Sequence, residues 1–322
     1  MRDSSNKNLL DRHKRKLLKA AAGTLCAWQI PNAFSAPSQS NHNNVVQNVV
    51  NKTIPSTGEP IPIIGMGTWQ TFNVGNNKSL LKKRCEILKT FFEHGGGMID
   101  SSPMYGSSEA VLGHCLQQLD FPKENFSATK VWTSSYNQGL EQINNSHQLW
   151  QIDKFDLFQV HNLLKWEEYL PYLQQMKKER KLKYVGITTS HGRRHSDLEN
   201  IIKNEKIDFV QLTYNIIDRE VESRLLPLAK EMGVAVIVNR PFQGGALFNK
   251  VKNTALPAFA NEFGCENWAQ FFLKFAVSHP AVTCAIPATS RVNHMEENMA
   301  ARLGPLPDEK NRQKMVDFMA TI

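Results

Sequence analysis

An aspartate closes a short apolar run, Gly97-Met98-Ile99-Asp100, and a tyrosine follows five residues later in Ser101-Ser102-Pro103-Met104-Tyr105-Gly106. Two later strand-like runs end in Lys130 (Asn125 to Lys130) and in His161 (Asp156 to His161). An acid, a phenol, an amine and an imidazole thus stand at or just past the ends of three strands. In a barrel of parallel strands such ends converge on one face. A phenol is a poor acid, with an ordinary pKa of about 10. A nearby ammonium lowers that value, and Lys130 is placed to supply it. Asp100 would keep the buried amine charged, and His161 would orient a carbonyl oxygen beside Tyr105. The set suits proton donation to a carbonyl oxygen while a hydride reaches the carbon. Singly, each residue has a plainer reading: Asp100 as a turn cap, Tyr105 as a half-buried aromatic, Lys130 as a solvated strand-end cation, His161 as a bonded core histidine. Their order on successive strands singles them out.

The elements that must carry them alternate from about Pro55 onward. Short apolar runs predict strands near Ile61–Gly65, Met98–Asp100, Phe126–Val131, Leu157–Val160, Tyr184–Ile187, Phe209–Leu212, Ala235–Val238 and Thr283–Ile286. Their unbroken apolar character is that of parallel strands covered on both faces. Helical patterns lie between them, including Leu80 to His94, Leu170 to Lys178 with Pro171 in its first turn, and Asn267 to Val277. Gly95 follows the first as a C-terminal cap. Eight strand–helix repeats in roughly 260 residues predict an α/β fold, a (β/α)8 TIM barrel. A doubly wound sheet would call for a G-x-G-x-x-G turn after the first strand, and none is present. Lys52 to Pro60 reads as a hairpin across the barrel floor with Gly58 at its turn.

The 322 residues carry a formal charge of +8. Residues 1–36 account for much of it, with seven Lys/Arg and two acids, so the body is only mildly basic. No basic stripe with interleaved aromatics appears, which argues against a nucleic-acid partner. Arg12-His13-Lys14-Arg15-Lys16 followed by an apolar stretch from Ala20 to Ile30 and small residues at Ala33, Ser35 and Ala36 reads as an export signal over 1–36. Lys14-Arg15-Lys16-Leu17-Leu18-Lys19 resembles a twin-arginine signal with lysine in place of the first arginine, and that route carries folded, cofactor-loaded proteins to the periplasm. The ordinary secretory route and a disordered basic tail on a cytoplasmic protein are the alternatives. The apolar stretch is too short for a stable membrane anchor. Residues 37–52 read as a polar linker, leaving 53–322 as one domain. Cys26, Cys85, Cys115, Cys265 and Cys284 form no metal-ligand pattern and read as small buried hydrophobes rather than a zinc site or disulfide framework.

With these residues in view, the body resembles the aldo-keto reductase family over residues 53–322. Gly65-Met66-Gly67-Thr68-Trp69 is similar to its first-strand signature, and Asp100, Tyr105, Gly106 and Glu109 to its most distinctive motif. Lys130, His161, the segment Phe209 to Asn215, and Ile286-Pro287-Ala288-Thr289-Ser290 through Glu297-Asn298 also match. The resemblance implies carbonyl reduction with a nicotinamide cofactor held without a Rossmann fold. It implies Tyr105 as acid, Lys130 and Asp100 as its activators and His161 as orienter. Thr188, Thr189 and Gln211 would meet the carboxamide. Asn239, Arg240, Pro241, Phe242 and Gly244 would follow the nicotinamide and diphosphate. Ile286, Pro287, Thr289, Ser290, Arg291 and His294 would lie toward the 2′-phosphate, and Glu297 and Asn298 at the adenine. Trp69 and Trp132 would wall the substrate pocket.

Three departures from the family pattern stand out. Thr188-Thr189 replaces Ser-Asn, and Asn239 stands where an aromatic often stacks on the nicotinamide. Ala288 and His294 replace the lysine and arginine that often meet the 2′-phosphate. NADPH is expected ahead of NADH, with His294 making 2′-phosphate affinity fall as pH rises through its pKa. The chain ends soon after its last helix, which favours small carbonyl compounds, and a monomer is slightly favoured. The departures support a second reading, a slow or non-catalytic nucleotide-binding redox sensor or interaction subunit. A third is a barrel aldolase with Lys130 as a Schiff-base amine.

Overall fold

The computed structural model describes residues 49–322. A hairpin opens the fold, β1 (Asn51–Thr53) paired antiparallel with β2 (Pro60–Pro62). Gly58 at its turn has φ of +74°, a conformation that favours glycine. Eight parallel strands follow: β3 (Met66–Gly67), β4 (Met98–Asp100), β5 (Phe126–Val131), β6 (Phe155–Val160), β7 (Leu182–Thr188), β8 (Phe209–Thr213), β9 (Ala235–Asn239) and β10 (Val282–Ala285). They pair in sequence order from β3 to β10. Parallel bridges from Ile64 to Ala285 and from Gly67 to Ala288 join the last strand to the first. Between them run α1 (Lys78–Glu93), α2 (Ser108–Gln118), α3 (Tyr136–Trp150), α4 (Trp166–Lys178), α5 (His195–Asn204), α6 (Leu225–Glu231), α7 (Ala246–Lys250), α8 (Trp268–Ser278), α9 (Val292–Ala300) and α10 (Glu309–Ala320). The molecule is a (β/α)8 barrel.

The core has two parts. Ile54 and Ile61 of the hairpin, Met98, Phe126, Ala128, Leu157, Tyr184, Phe209, Ala235, Ile237 and Cys284 fill the barrel interior. A larger apolar layer lies between strands and helices. Successive strand residues face opposite ways, so the interior residues fix which later positions also point inward. Continuing Met98 leads to Asp100. Phe126 and Ala128 lead to Lys130, and Leu157 to Gln159 and then His161. Phe209 leads to Gln211 and Thr213, Ala235 and Ile237 to Asn239. The interior is therefore apolar at its floor and polar at the carboxyl ends of its strands, where barrel enzymes carry their sites.

Several expectations need correction. The predicted strand Ile61–Gly65 is divided: Ile61 belongs to the hairpin and packs in the floor, while the barrel strand begins at Met66. Both uses are apolar, so periodicity does not separate them. α4 starts at Trp166, which puts Pro171 inside the helix and not in its first turn. The expected linker ends earlier than residue 52. Val50 donates its N–H to Arg302 O at 2.9 Å. The Lys52 ammonium is bound by three carbonyls, Val277 O at 2.8 Å, His279 O at 2.9 Å and Val282 O at 2.5 Å. The cysteine reading fails for one pair: Cys85 on α1 and Cys115 on α2 form a disulfide, with Cα atoms 4.8 Å apart. Facing positions on adjacent helices made it, and a sequence separation of 30 hid it. Cys265 and Cys284 are free and buried. The expected export signal over 1–36 lies outside the described residues. Among those described, no helix is long and apolar enough to cross a membrane.

Candidate active site

Lys130, fully buried, donates to Asp100 Oδ2 at 2.5 Å and to Ser101 O at 2.7 Å. The other carboxylate oxygen, Oδ1, accepts from Gln159 Nε2 at 2.9 Å and Gln211 Nε2 at 3.0 Å. Both oxygens of the Asp100 carboxylate thus have donors in a setting closed to water. Gln159 fits there because β7 offers Gly186 beside it. A Cβ on Gly186 would lie 3.1 Å from Gln159 Cγ and 3.0 Å from Phe209 O. The Lys130 ammonium lies 5.2 Å from the Tyr105 ring centroid.

Tyr105 sits in a short 3-10 turn (Pro103–Tyr105) whose start is capped by Ser102. Gly106, with φ of +63°, lets the chain turn against Asn73, whose amide a Cβ would strike. Asn73 Oδ1 accepts from Ser107 N at 3.0 Å and so braces the turn. The rings of Tyr105 and His161 meet edge to face, 5.7 Å between centroids. Ser102 Oγ lies 2.9 Å from His161 Nδ1 and accepts from Met104 N at 3.3 Å. With the serine hydroxyl donating to Nδ1, the imidazole would keep Nε2–H as its donor toward the cavity.

The electrostatics differ from the expected lowering of the phenol. Burial, and then the charge of Asp100, hold Tyr105 well above its ordinary value, so it carries its proton. Lys130's charge is balanced by Asp100. Burial pushes the Lys130 amine down, and Asp100 opposes that. Burial, with Lys130 adding to it, drives His161 well below the usual imidazole range, so the ring is neutral. Glu109 lies outside the barrel wall and is raised by burial. Its carboxyl accepts from Thr129 at 2.6 Å, Trp150 at 3.0 Å and Ser146 at 3.1 Å, tying α2 and α3 to the strand that carries Lys130.

A cavity of about 850 Å³ opens above this set. Asp100, Tyr105 and His161 reach it, as do Trp69, Thr188, Thr189, Gln211, Asn239, Arg240, Pro241, Phe242, Gly244 and Ile286. Lys130 lies behind the lining. Pro287, Thr289, Ser290, Arg291, His294 and Asn298 are not in the lining, and Glu297 borders a separate cleft with His94 and Glu266. Trp132 is also outside it, although its ring is 6.4 Å from that of His161. Asn239 is held at both ends, accepting from Thr213 Oγ1 at 2.7 Å and donating to Thr189 O at 2.8 Å. Thr188 Oγ1 accepts from Asn162 N at 3.0 Å. Sequence reasoning missed Gln159, Ser102, Thr213 and Asn162. Gln159 had a usable signal, since it is polar at an inward position two residues before His161.

A neutral imidazole donor, a protonated phenol and a charged amine–carboxylate pair at the strand ends of a (β/α)8 barrel define a proton-donating barrel enzyme. A model described as the aldo/keto reductase family matches residues 63–314, and the chain belongs to that family. It is an NAD(P)H-dependent oxidoreductase acting on carbonyl groups. The chain is 27% identical over 249 residues to the NADH-specific methylglyoxal reductase of Escherichia coli strain K12, covering 65% of this chain and 73% of that one. It is 24% identical over 214 residues to aldo-keto reductase YhdN of Bacillus subtilis strain 168, covering 62% of this chain and 64% of the relative. Among solved structures it is similar to an aldo/keto reductase from Klebsiella pneumoniae in complex with NADP and acetate, with a TM-score of 0.71, 22% identity, and coverage of 84% of this chain and 96% of that one.

Proposed function

We propose that the protein reduces small aldehydes and ketones with NADPH, NADH being the weaker donor, and that Tyr105 is the proton donor. The observation that carries the assignment is the convergence of Tyr105, His161 and the Lys130–Asp100 pair at the base of one cavity. The carbonyl oxygen would accept from Tyr105 Oη–H and His161 Nε2–H. As negative charge grows on that oxygen, Tyr105 gives up its proton. The Lys130 ammonium then stabilises the phenolate left behind. Asp100, fixed by two glutamine amides, keeps that ammonium charged and in place. Trp69 and Met104 shield the reacting carbon from water.

The cavity offers groups suited to the nicotinamide and diphosphate end of a dinucleotide. Thr188, Thr189 and Gln211 offer hydroxyls and an amide near the carboxamide position. The Arg240 guanidinium lies against Gly244, where a Cβ would stand 3.3 Å from it, so glycine leaves room for that charge beside a bound diphosphate. When bound, the cofactor supplies the hydride. Thr289, Ser290, Arg291 and His294 are proposed for the 2′-phosphate, and Glu297 and Asn298 for the adenine. The Klebsiella pneumoniae enzyme was solved as a complex with NADP, which favours the phosphorylated cofactor, while the Escherichia coli relative is named for NADH. Lys130 lies behind the cavity wall, which removes the support for its use as a Schiff-base nucleophile.

The N-terminal segment is proposed to direct export to the periplasm, with the body acting as a monomer. The Cys85–Cys115 disulfide supports this, because such bonds persist in oxidising compartments and are rare in reducing ones. The reductase assignment is tested with Tyr105→Phe. Turnover of a good aldehyde with NADPH should fall roughly 10²–10⁴-fold while fluorescence titration shows cofactor binding nearly unchanged. Full turnover in that variant would remove Tyr105 from the mechanism.

A further inference from the structure

The cavity wall is one-sided in charge. Arg193, Arg194 and Arg240 reach it as cations, His161 and His191 as imidazoles that burial holds below their usual range, and the one acid among the described residues that does so, Asp100, is already matched by Lys130. The loop between β7 and α5 brings three of these groups. His191, Gly192 and Arg194 all have positive φ, 62°, 64° and 57°, which folds the loop sharply over the mouth. Both ends of the loop are pinned. His191 N donates to Thr213 Oγ1 at 2.9 Å. Arg194 donates to Leu163 O at 2.9 Å, to Asn162 O at 3.2 Å and to Asp197 Oδ2 at 2.7 Å.

Between those pins, Arg193 is exposed and forms no ion pair among the described residues. Asp218, the acid near His191, is occupied instead by Gln243 Nε2 at 3.1 Å and Asn215 Nδ2 at 2.8 Å. Arg240 lies against Gly244 and, like Arg193, acts on His191. Arg194, the next residue after Arg193, holds Asn162 and Leu163, the two residues after His161. The Arg193 side chain reaches the same cavity that Tyr105 and His161 line.

We infer that Arg193, with His191 beside it, is a specificity-determining anion subsite, and that preferred substrates are carbonyl compounds carrying a carboxylate or phosphate several bonds from the carbonyl. The inference rests on the reductase reading above. A guanidinium meets either oxyanion through two parallel N–H bonds. The apolar wall of Trp69, Met104 and Phe248, each about two-fifths exposed, suits the aromatic or aliphatic body between the two ends.

The test compares 4-carboxybenzaldehyde with its uncharged methyl ester, using the full chain and its Arg193→Gln and Arg193→Lys variants. Turnover with NADPH is measured alongside binding of each aldehyde to the NADP⁺-saturated protein. The wild type should favour the acid by about two- to fivefold, the range of a single solvated ion pair. Arg193→Gln should erase that preference without changing the ester or NADPH affinity, and Arg193→Lys should keep part of it. Equal handling of acid and ester by the wild type would overturn the inference while leaving the reductase reading intact. So would weakened NADPH binding in Arg193→Gln, which would assign the charge to the cofactor's diphosphate. Arg193-dependent binding of the acid without reduction of either aldehyde would uphold the subsite and sink the reductase reading.

Discussion

Asp100 decides whether the site can work, and it does so through neighbours that never touch a substrate. Its Oδ1 is held by Gln159 and Gln211. Removing one of these donors leaves a buried charged acceptor short of a bond, a loss of roughly 1.5–3 kcal/mol in such settings. Gln159→Leu should therefore lower turnover about tenfold or more with the fold intact, and Gln159→Glu should lower it further by setting a second acid beside Asp100. Steady-state rates with thermal melts on the same samples would check this, and an unchanged rate in Gln159→Leu would remove it from the positioning set. The low-lying imidazole of His161 adds a pH expectation. Its proton is gone throughout the neutral range, so kcat should show no break near 6.5, the ordinary histidine value.

At the scale of elements, α1, α2 and α3 form a tightly fitted wall behind the Tyr105 turn and the Lys130 strand. Gly113 on α2 meets the Leu149 carbonyl of α3 so closely that a Cβ would strike it. Gly113→Ala should cost about 1–3 kcal/mol or more, read as a lower melting temperature. The Cys85–Cys115 bond closes a stretch of 30 residues between α1 and α2. Its loss should cost roughly 3–4 kcal/mol by loop entropy, checked by melting Cys85→Ala/Cys115→Ala against the oxidised protein.

Much of this architecture was legible beforehand. The bounds of β4 and β5 were read as they stand, because continuous apolar runs between turn residues admit few alternatives at that length. Gly95 marked the end of α1 for the same local reason, its φ of +74° being one that other residues avoid. The start of α4 was missed because no side-chain cap precedes Trp166. The disulfide and the amide pair on Asp100 were missed because they join residues from separate elements. The four chemical residues, by contrast, each sit where a strand ends, and strand ends are visible in one dimension.

For the molecule as a whole, the floor of the barrel holds an acid-sensitive group. His279 is pushed down to about 4 by burial, and then by Arg312. Its Nδ1 accepts from Ala281 N at 3.2 Å, a bond only the unprotonated ring can take. A depressed folded pKa means the unfolded chain binds the proton first. The stability this neutral ring allows is complete above about 6.5 and is lost as pH falls toward about 4. The loss should be roughly 1–2 kcal/mol after allowance for solvent at this half-buried position. Denaturant melts of the native protein and His279→Gln at pH 7 and pH 4.5 should differ in slope with pH, and identical slopes would place the acid sensitivity elsewhere.

The burial of Lys130 has a consequence for durability. Aldehydes condense with free primary amines, and an enzyme that works among them risks being consumed by its own substrate. Here the indispensable amine is sealed behind its carboxylate with no exposed surface. Among the described residues, the basic groups that do face the cavity are arginines and histidines, with no lysine among them. A guanidinium stays protonated in water and offers simple aldehydes no free amine. The site can be flooded with simple aldehyde while its one indispensable amine stays chemically out of reach.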